Sequence, residues 1–303
     1  MINEDVVVGY STLPKRDRLI LNVASRVLGV EEAREVSKSV DIIGDIAILK
    51  MSPSAEPLGH KLGEELLKEA PYLRVVLRQS SPVLGDFRVR NLEWLAGEER
   101  TVTRHREYGC VFKVDVSKVY FSPRLSNERK RIADMVREGE TVLNMFAGVG
   151  SFSILIAKGL NRVKVYSIDL NPEAFRLMFT NTILNKVRGR VTPILGDSKA
   201  VIYNLFNGNV DRVLMPLPEK AREFLSTALY ALKPEGGMLH YQSFVHADKG
   251  EDPIQCGLKE IMESLRAVRL RVEGGRVIRE VGPFRYQIAL DIKILEKGRD
   301  RKW

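Results

Sequence analysis

Residues 141–150, Thr-Val-Leu-Asn-Met-Phe-Ala-Gly-Val-Gly, constrain this chain more than any other stretch. A short apolar run passes straight into a turn carrying two glycines. Ser151 then opens a second apolar run, 152–157, as a helix N-cap does. The pattern is a strand, a sharp turn and a helix. Gly148 and Gly150 let the backbone turn tightly and approach a ligand closely. No Gly-Lys-Ser/Thr follows, so this is not a phosphate-cradling P-loop, nor is it a full G-x-G-x-x-G.

Two more β-rich runs repeat the theme. Residues 163–168 end in Asp169, and residues 191–195 end in Gly196-Asp197. An acidic residue about 20 positions past a glycine turn suits a hydrogen bond to ribose hydroxyls. Strands separated by helices make an open α/β sheet, and such sheets bind nucleotide-like ligands at the carboxyl ends of their strands. A dinucleotide-binding Rossmann domain and a plain α/β core are the blander alternatives. The missing last glycine counts against the first of them. Asp197 also suits a helix N-cap, and both roles can hold together.

The chain has 303 residues, enough for two domains, and a net charge of +9 with a pI near 9.5. Between Pro71 and Arg137 it carries 14 Lys/Arg against 8 Asp/Glu, and such clustering favours a nucleic-acid partner over general solubility. Cys110 and Cys256 are too few for a disulfide framework, which points to a reducing cytoplasm. No apolar run has membrane-spanning length, and the N-terminus has no signal-peptide pattern. His60, His105, His240 and His246 are scattered and receive no role; His105, between two arginines, suits RNA contact or packing.

Three parts are expected: a short opening segment 1–39, an α/β module 40–121, and a larger α/β domain 122–303. Helical spacing covers 19–28, 30–38, 57–69 and 125–136. Residues 41–51 are a strand pair or one long strand with Ile42, Ile46 and Ile48 inward, and further strands cover 73–77 and 92–95, the latter after a loop at 82–90. Residues 101–107 and 110–116 form an antiparallel pair about Tyr108-Gly109. In the larger domain, strands at 211–215 and 238–244 alternate with helices at 219–232 and 254–267, and runs at 269–272 and 284–295 close the sheet.

Asn144-Met-Phe-Ala-Gly-Val-Gly-Ser-Phe-Ser153, Ile168-Asp-Leu-Asn-Pro172 and Gly196-Asp-Ser198 resemble the S-adenosylmethionine-dependent class I methyltransferases. Within that class, Asp41-Ile-Ile-Gly-Asp45, Gly85-Asp-Phe-Arg-Val-Arg90 and Val119-Tyr-Phe-Ser-Pro-Arg-Leu-Ser-Asn-Glu-Arg129 resemble the archaeal tRNA (guanine-37-N1)-methyltransferase family. The resemblance runs from about Val40 to the C-terminus. It implies a Rossmann-like catalytic domain beside a smaller α/β RNA-binding domain. It also implies S-adenosyl-L-methionine as cofactor, with S-adenosyl-L-homocysteine as product, and the tRNA anticodon loop at position 37 as partner. A monomer is expected.

Methyl transfer to guanine N1 needs a base for the N1 proton and a donor at O6, where negative charge builds. No metal is required, and no His/Cys cluster of ligand spacing appears. The resemblance places the base at Glu128 and the O6 donor at Arg88, 40 residues earlier. Read without it, Glu128 is a helix-surface carboxylate paired with Arg124 or Arg131. Arg90 and Arg129 are implied RNA contacts, Arg129 also suiting the orientation of Glu128. The implied cofactor contacts are Tyr120, Arg124, Phe146, Ala147, Gly148, Asp169, Leu170, Asp197 and Ser198. Tyr120 and Phe121 serve equally well as core. Pro216, in Met215-Pro-Leu-Pro218, stands where many relatives carry asparagine, and removes a side-chain donor and a backbone N–H. That departure resembles a bifunctional branch that also methylates carbon 7 of the tricyclic wyosine precursor. The aminocarboxypropyl transferase of the same pathway, and a non-catalytic tRNA-binding protein with a vestigial cofactor domain, are the competing readings.

Overall fold

Short apolar runs broken by glycine and proline fold into two units in the computed structural model, which describes residues 15–82, 85–265 and 268–297. The first 14 residues of the opening segment, two of the loop at 82–90 and the end of the helix expected at 254–267 lie outside the described residues. One unit runs up to Arg106 and takes in Lys113–Pro123; the other is Glu107–Phe112 with the chain from Arg124 onward.

In the first unit, helices α1 (Lys15–Leu28) and α2 (Val30–Ser39) precede strands β1 (Asp41–Ile43) and β2 (Ile46–Leu49). Helix α3 (Gly59–Glu69) and strands β3 (Val75–Gln79) and β4 (Leu92–Gly97) complete a sheet of order β1-β2-β3-β4. Its β2–β3 pair is parallel and the flanking pairs are antiparallel. Ile20, Leu21 and Val23 of α1, Ala33 and Val36 of α2, and Leu62 and Leu66 of α3 share one core with Ala47, Leu49 and Val76. Helices α1 and α2 therefore share the sheet's core through residues between Leu19 and Val36.

Gly44 turns β1 into β2 with φ of 59°, and a Cβ there would stand 2.1 Å from Thr103 Oγ1. The turn pairs Ile42 with Ala47, so Ile42 lies on the helix-covered face. Ile46 and Ile48 point the other way, also fully buried, so the expected inward trio is split between two faces. Strands β5 (Val102–Glu107) and β6 (Cys110–Asp115) form a hairpin. Tyr108 and Gly109 at its tip both have positive φ, 45° and 74°, as a tight primed turn requires.

The second unit begins with α4 (Ser126–Met135) and then alternates. Its elements are β7 (Thr141–Asn144), α5 (Ser151–Gly159), β8 (Lys164–Asp169), α6 (Pro172–Leu184), β9 (Val191–Leu195), α7 (Ser198–Leu205), β10 (Arg212–Met215), α8 (Leu225–Ala231), β11 (Gly237–His246), α9 (Pro253–Ser264), β12 (Val268–Gly282) and β13 (Arg285–Lys297). The sheet order is β12-β13-β11-β10-β7-β8-β9. The five strands from β11 to β9 are parallel; β13 runs antiparallel to β11, and β12 to β13. Val142, Leu143, Val213, Leu214 and Met215 are all at most 1% exposed, as a parallel sheet covered on both faces demands.

Two local readings are corrected. The helix expected from 219 opens as a 3-10 turn, Ala221–Phe224, before α8 starts at Leu225. The strand expected at 269–272 continues to Gly282, because register shifts in its ladder with β13 absorb the glycines that read as breaks. Pro193 sits inside a strand, which is tolerated because β9 is the sheet's edge. The strand order reverses between β7 and β10, so the crevice for a ligand opens at their carboxyl ends.

Candidate active site

The turn after β7 is built from the inside. Asn144 is fully buried, and its Oδ1 accepts from Phe146 N at 3.3 Å while its Nδ2 donates to Ser153 Oγ at 3.1 Å. Ser167 Oγ of β8 donates to the same Ser153 hydroxyl at 2.7 Å, and Ser198 Oγ donates to Met145 O. These contacts fix residues 144–148 from below. Gly148 holds φ of 57° and Gly150 φ of 85°. A Cβ on Gly150 would stand 2.9 Å from Met178 Cγ, so conformation and packing both select glycine there.

Asp169 ends β8 beside this turn. Its Oδ2 accepts from Gly148 N at 2.6 Å and its Oδ1 from Asn171 N at 2.9 Å. Burial pushes its carboxyl up, and the two N–H donors pull against that. No cation pairs with it among the described residues. Each oxygen keeps an unused lone pair, a donor set that suits the two vicinal hydroxyls of a ribose. Next to it Leu170 is 46% exposed, an apolar face suited to a purine ring. Asp197 caps α7 by accepting from Ala200 N at 2.9 Å and remains exposed. Phe146 packs edge-on against Phe224 at 4.9 Å. Pro216, half-buried, directly follows β10 at the other side of the switch point. The pocket residues thus fit S-adenosylmethionine.

Glu128 lies in the first turn of α4 and is only 2% exposed. Arg131 grips it with one edge of its guanidinium, Nη2 to Oε1 at 2.7 Å and Nε to Oε2 at 2.9 Å. Arg276 of β12 approaches Oε2 at 3.6 Å. The pairing with Arg131 read from spacing is present, but the helix face that carries it is buried. In the first unit, Arg88 sits in a turn closed by its own N–H to Gly85 O at 3.1 Å, with φ of 54°, which is rare outside glycine. Its guanidinium lies over the Tyr120 ring at 4.1 Å.

A model of the TRM5/TYW2 methyltransferase domain matches residues 103–269, and one of the TYW2 N-terminal domain matches residues 20–101. The chain belongs to the TRM5/TYW2 methyltransferase family. It is 40% identical to the tRNA (guanine(37)-N(1))-methyltransferase Trm5b of Pyrococcus abyssi, over 94% of this chain and 82% of that protein. It is 37% identical to the tRNA 4-demethylwyosine(37)-methyltransferase Taw21 of Saccharolobus solfataricus, over 87% of this chain and 97% of that one. A solved complex of aTrm5 and tRNALeu superposes with a TM-score of 0.78 at 36% identity, covering 90% of this chain and 77% of the other.

Within this TRM5/TYW2 member, two arginines expected at RNA are engaged elsewhere. Arg129 is 2% exposed and locked to Glu107 by two bonds of 2.6 Å, so it ties α4 to the hairpin tip. Arg90 donates to Gln79 Oε1 at 2.9 Å and pairs with Asp41 at 3.4 Å, bracing the edge of the first sheet. Phe121 is core, edge-on to His105 at 5.1 Å. Arg124 is exposed in the 3-10 turn Pro123–Leu125. Spacing did not flag Asn144, Ser153, His240 or Asp291. The available signal was a polar residue inside an apolar strand, as in Met-Leu-His240-Tyr and Ala-Leu-Asp291-Ile. No helix among the described residues is long and apolar enough to cross a membrane, and no described cluster of His, Cys, Asp and Glu could hold a metal ion.

Proposed function

We propose that this chain methylates N1 of guanosine 37 in tRNA, acting as a cytoplasmic monomer. When bound, S-adenosylmethionine supplies the electrophilic methyl group. The observation that carries the reading is Glu128, a buried carboxylate oriented by Arg131 on the family motif. Arg131 occupies one lone pair on each oxygen and Arg276 approaches Oε2, which leaves Oε1 the better-placed acceptor for the N1 proton. Arg88 donates to O6 as the charge grows there, a task suited to a guanidinium that stays charged. Asp169 accepts from the ribose hydroxyls. The backbone of Phe146, Ala147 and Gly148 faces the methionine part. Leu170 and Ser198 flank the adenine, Asp197 accepts from its amino group, and Tyr120 and Arg124 are further cofactor contacts.

Asp169→Ala removes a charge-assisted hydrogen bond worth about 1.5–3 kcal/mol. Calorimetry should register S-adenosylmethionine affinity falling roughly 10- to 150-fold; unchanged affinity removes Asp169 from the site.

Pro216 supports a second substrate. A proline after β10 offers neither a side-chain donor nor an N–H. A pocket wall of that kind admits a larger ring, and the tricyclic wyosine precursor, methylated at carbon 7, fits this description. Mass analysis of nucleosides after incubation with unmodified tRNA, and separately with tRNA carrying the precursor, tests both readings. We expect N1-methylguanosine from the first and a methylated tricycle from the second. An aminocarboxypropyl adduct, or no transfer to unmodified tRNA, overturns the assignment.

A further inference from the structure

Beneath α4 the Glu128–Arg131 pair continues into a buried chain of polar groups that no step above uses. Arg131 presents one edge of its guanidinium to Glu128 and the other to Asp291 of β13, Nη2 reaching Oδ1 at 3.1 Å and Nη1 reaching Oδ2. Asp291 Oδ1 then accepts from His240 Nδ1 of β11 at 2.6 Å. His240 Nε2 meets Arg212 Nη1 of β10 at 2.6 Å. Arg212 in turn forks onto Glu140 at 2.6 and 2.9 Å and caps α4 by donating to Met135 O at 3.0 Å. Glu128, Asp291, His240 and Arg212 are each at most 5% exposed.

The chemistry along this chain is consistent at each link. Arg212 can only donate, so His240 Nε2 must accept and its proton sits on Nδ1, facing Asp291. Burial and the neighbouring cations hold the imidazole neutral by pushing its pKa down. Burial pushes the Asp291 carboxyl up, but the hydrogen bonds from His240 and Arg131 outweigh it and bring it down to about 2. His240 and Asp291 are directly opposed in the β11–β13 ladder, so their spacing is set by the sheet and not by flexible side chains. A buried ionic chain gives little stability over well-packed apolar residues. Its distinctive property is orientation. The planar fork of Arg131, held on one side by the sheet, leaves the carboxylate of Glu128 one place and one plane.

We propose that Asp291 and His240 are positioning residues for Glu128, acting through Arg131. The inference rests on the reading of Glu128 as the base. The three strands β10, β11 and β13 would then set the rate by aiming a side chain that belongs to a helix.

The test is single-turnover methylation at saturating tRNA and S-adenosylmethionine with Asp291→Asn, Glu128→Gln and the double variant, with thermal melts of each. Misplacing a reacting group by about 1 Å can cost on the order of 100-fold. We therefore expect Asp291→Asn to slow the step roughly 10- to 100-fold, with cofactor and tRNA affinities within about twofold. In the Glu128→Gln background the same substitution should add less than about twofold, because nothing remains to aim. His240→Gln, a gentler change, should give a smaller loss with the same background dependence, and it stands in if Asp291→Asn fails to fold. Equal losses in both backgrounds mean a merely structural role and overturn the inference. A wild-type rate for Asp291→Asn alongside a crippled Glu128→Gln overturns it while leaving the base in place. A wild-type rate for Glu128→Gln overturns the base assignment and the inference together.

Discussion

Glu128→Gln should slow guanosine N1 methylation by about 10²–10⁴, the usual worth of a general base, while cofactor and tRNA affinities change little. The replacement has the same shape but cannot take the N1 proton. It also places an amide against Arg131, which loses half of its grip and keeps Asp291. The fold therefore retains a partner for the buried guanidinium, and a melt distinguishes lost chemistry from lost structure. Glu128→Asp supplies the second arm. It keeps the charge but draws the carboxylate back by a methylene, so its loss should be smaller and should lie wholly in the methyl-transfer step. A Glu128→Gln enzyme that methylates at the wild-type rate places the base elsewhere.

Arg88→Ala is expected to cost about 10²–10³ in the same step, the range seen when one oxyanion donor is removed. Arg88 occupies φ of 54° in a turn where glycine would be unstrained, at an expense of order 1–3 kcal/mol for a side-chain-bearing residue. Alanine inherits that backbone, so the comparison isolates the guanidinium. The cation–π contact with Tyr120 that disappears is worth only about 0.5–1 kcal/mol at an accessible site, too little to unfold the unit. Arg88→Lys keeps the charge without the planar fork and should fall between the two. Pre-steady-state rates within about threefold of wild type for Arg88→Ala would leave Arg88 as a lid on Tyr120 and nothing more.

The cofactor turn was legible because its requirements are local. A strand, two glycines at positive φ and an aspartate at the next strand's end are all read from neighbouring residues. Glu128 was legible only through a motif. Spacing alone made it a surface carboxylate, since five of the ten residues of α4 are charged. What buries it comes from β12 and β13, some 150 residues further on, and no local pattern announces such a partner. Arg129 illustrates the same limit from the other side. Adjacent to Glu128 in a basic segment, it reads as an RNA contact, yet its partner Glu107 removes it from solvent. Ile42 does not share a face with Ile46 and Ile48, because a strand register depends on the turn that sets it, and Gly44 could have been read as ending one strand or bending it.

The hairpin tip, Glu107–Phe112, bears on how such a protein can be dismantled or inherited. Its stem is counted with one unit and its tip with the other, so the backbone passes between them three times. Asn185 bonds both the N–H and the carbonyl of Val111, at 2.8 and 2.7 Å, and Tyr108 reaches Asn127 at 2.9 Å. A catalytic fragment begun at the apparent linker near residue 122 would lose these and leave Arg129 as a buried cation without its carboxylate, a penalty of about 3–5 kcal/mol. Most domains have only about 5–15 kcal/mol to lose. A fragment begun before residue 102 keeps the tip but carries the first unit's strands with it. No single cut yields two intact halves, and the family's methyltransferase match, which starts at residue 103, already includes the loop. Shuffling of either module between proteins must therefore carry the hairpin along, which makes the pair a single hereditary piece.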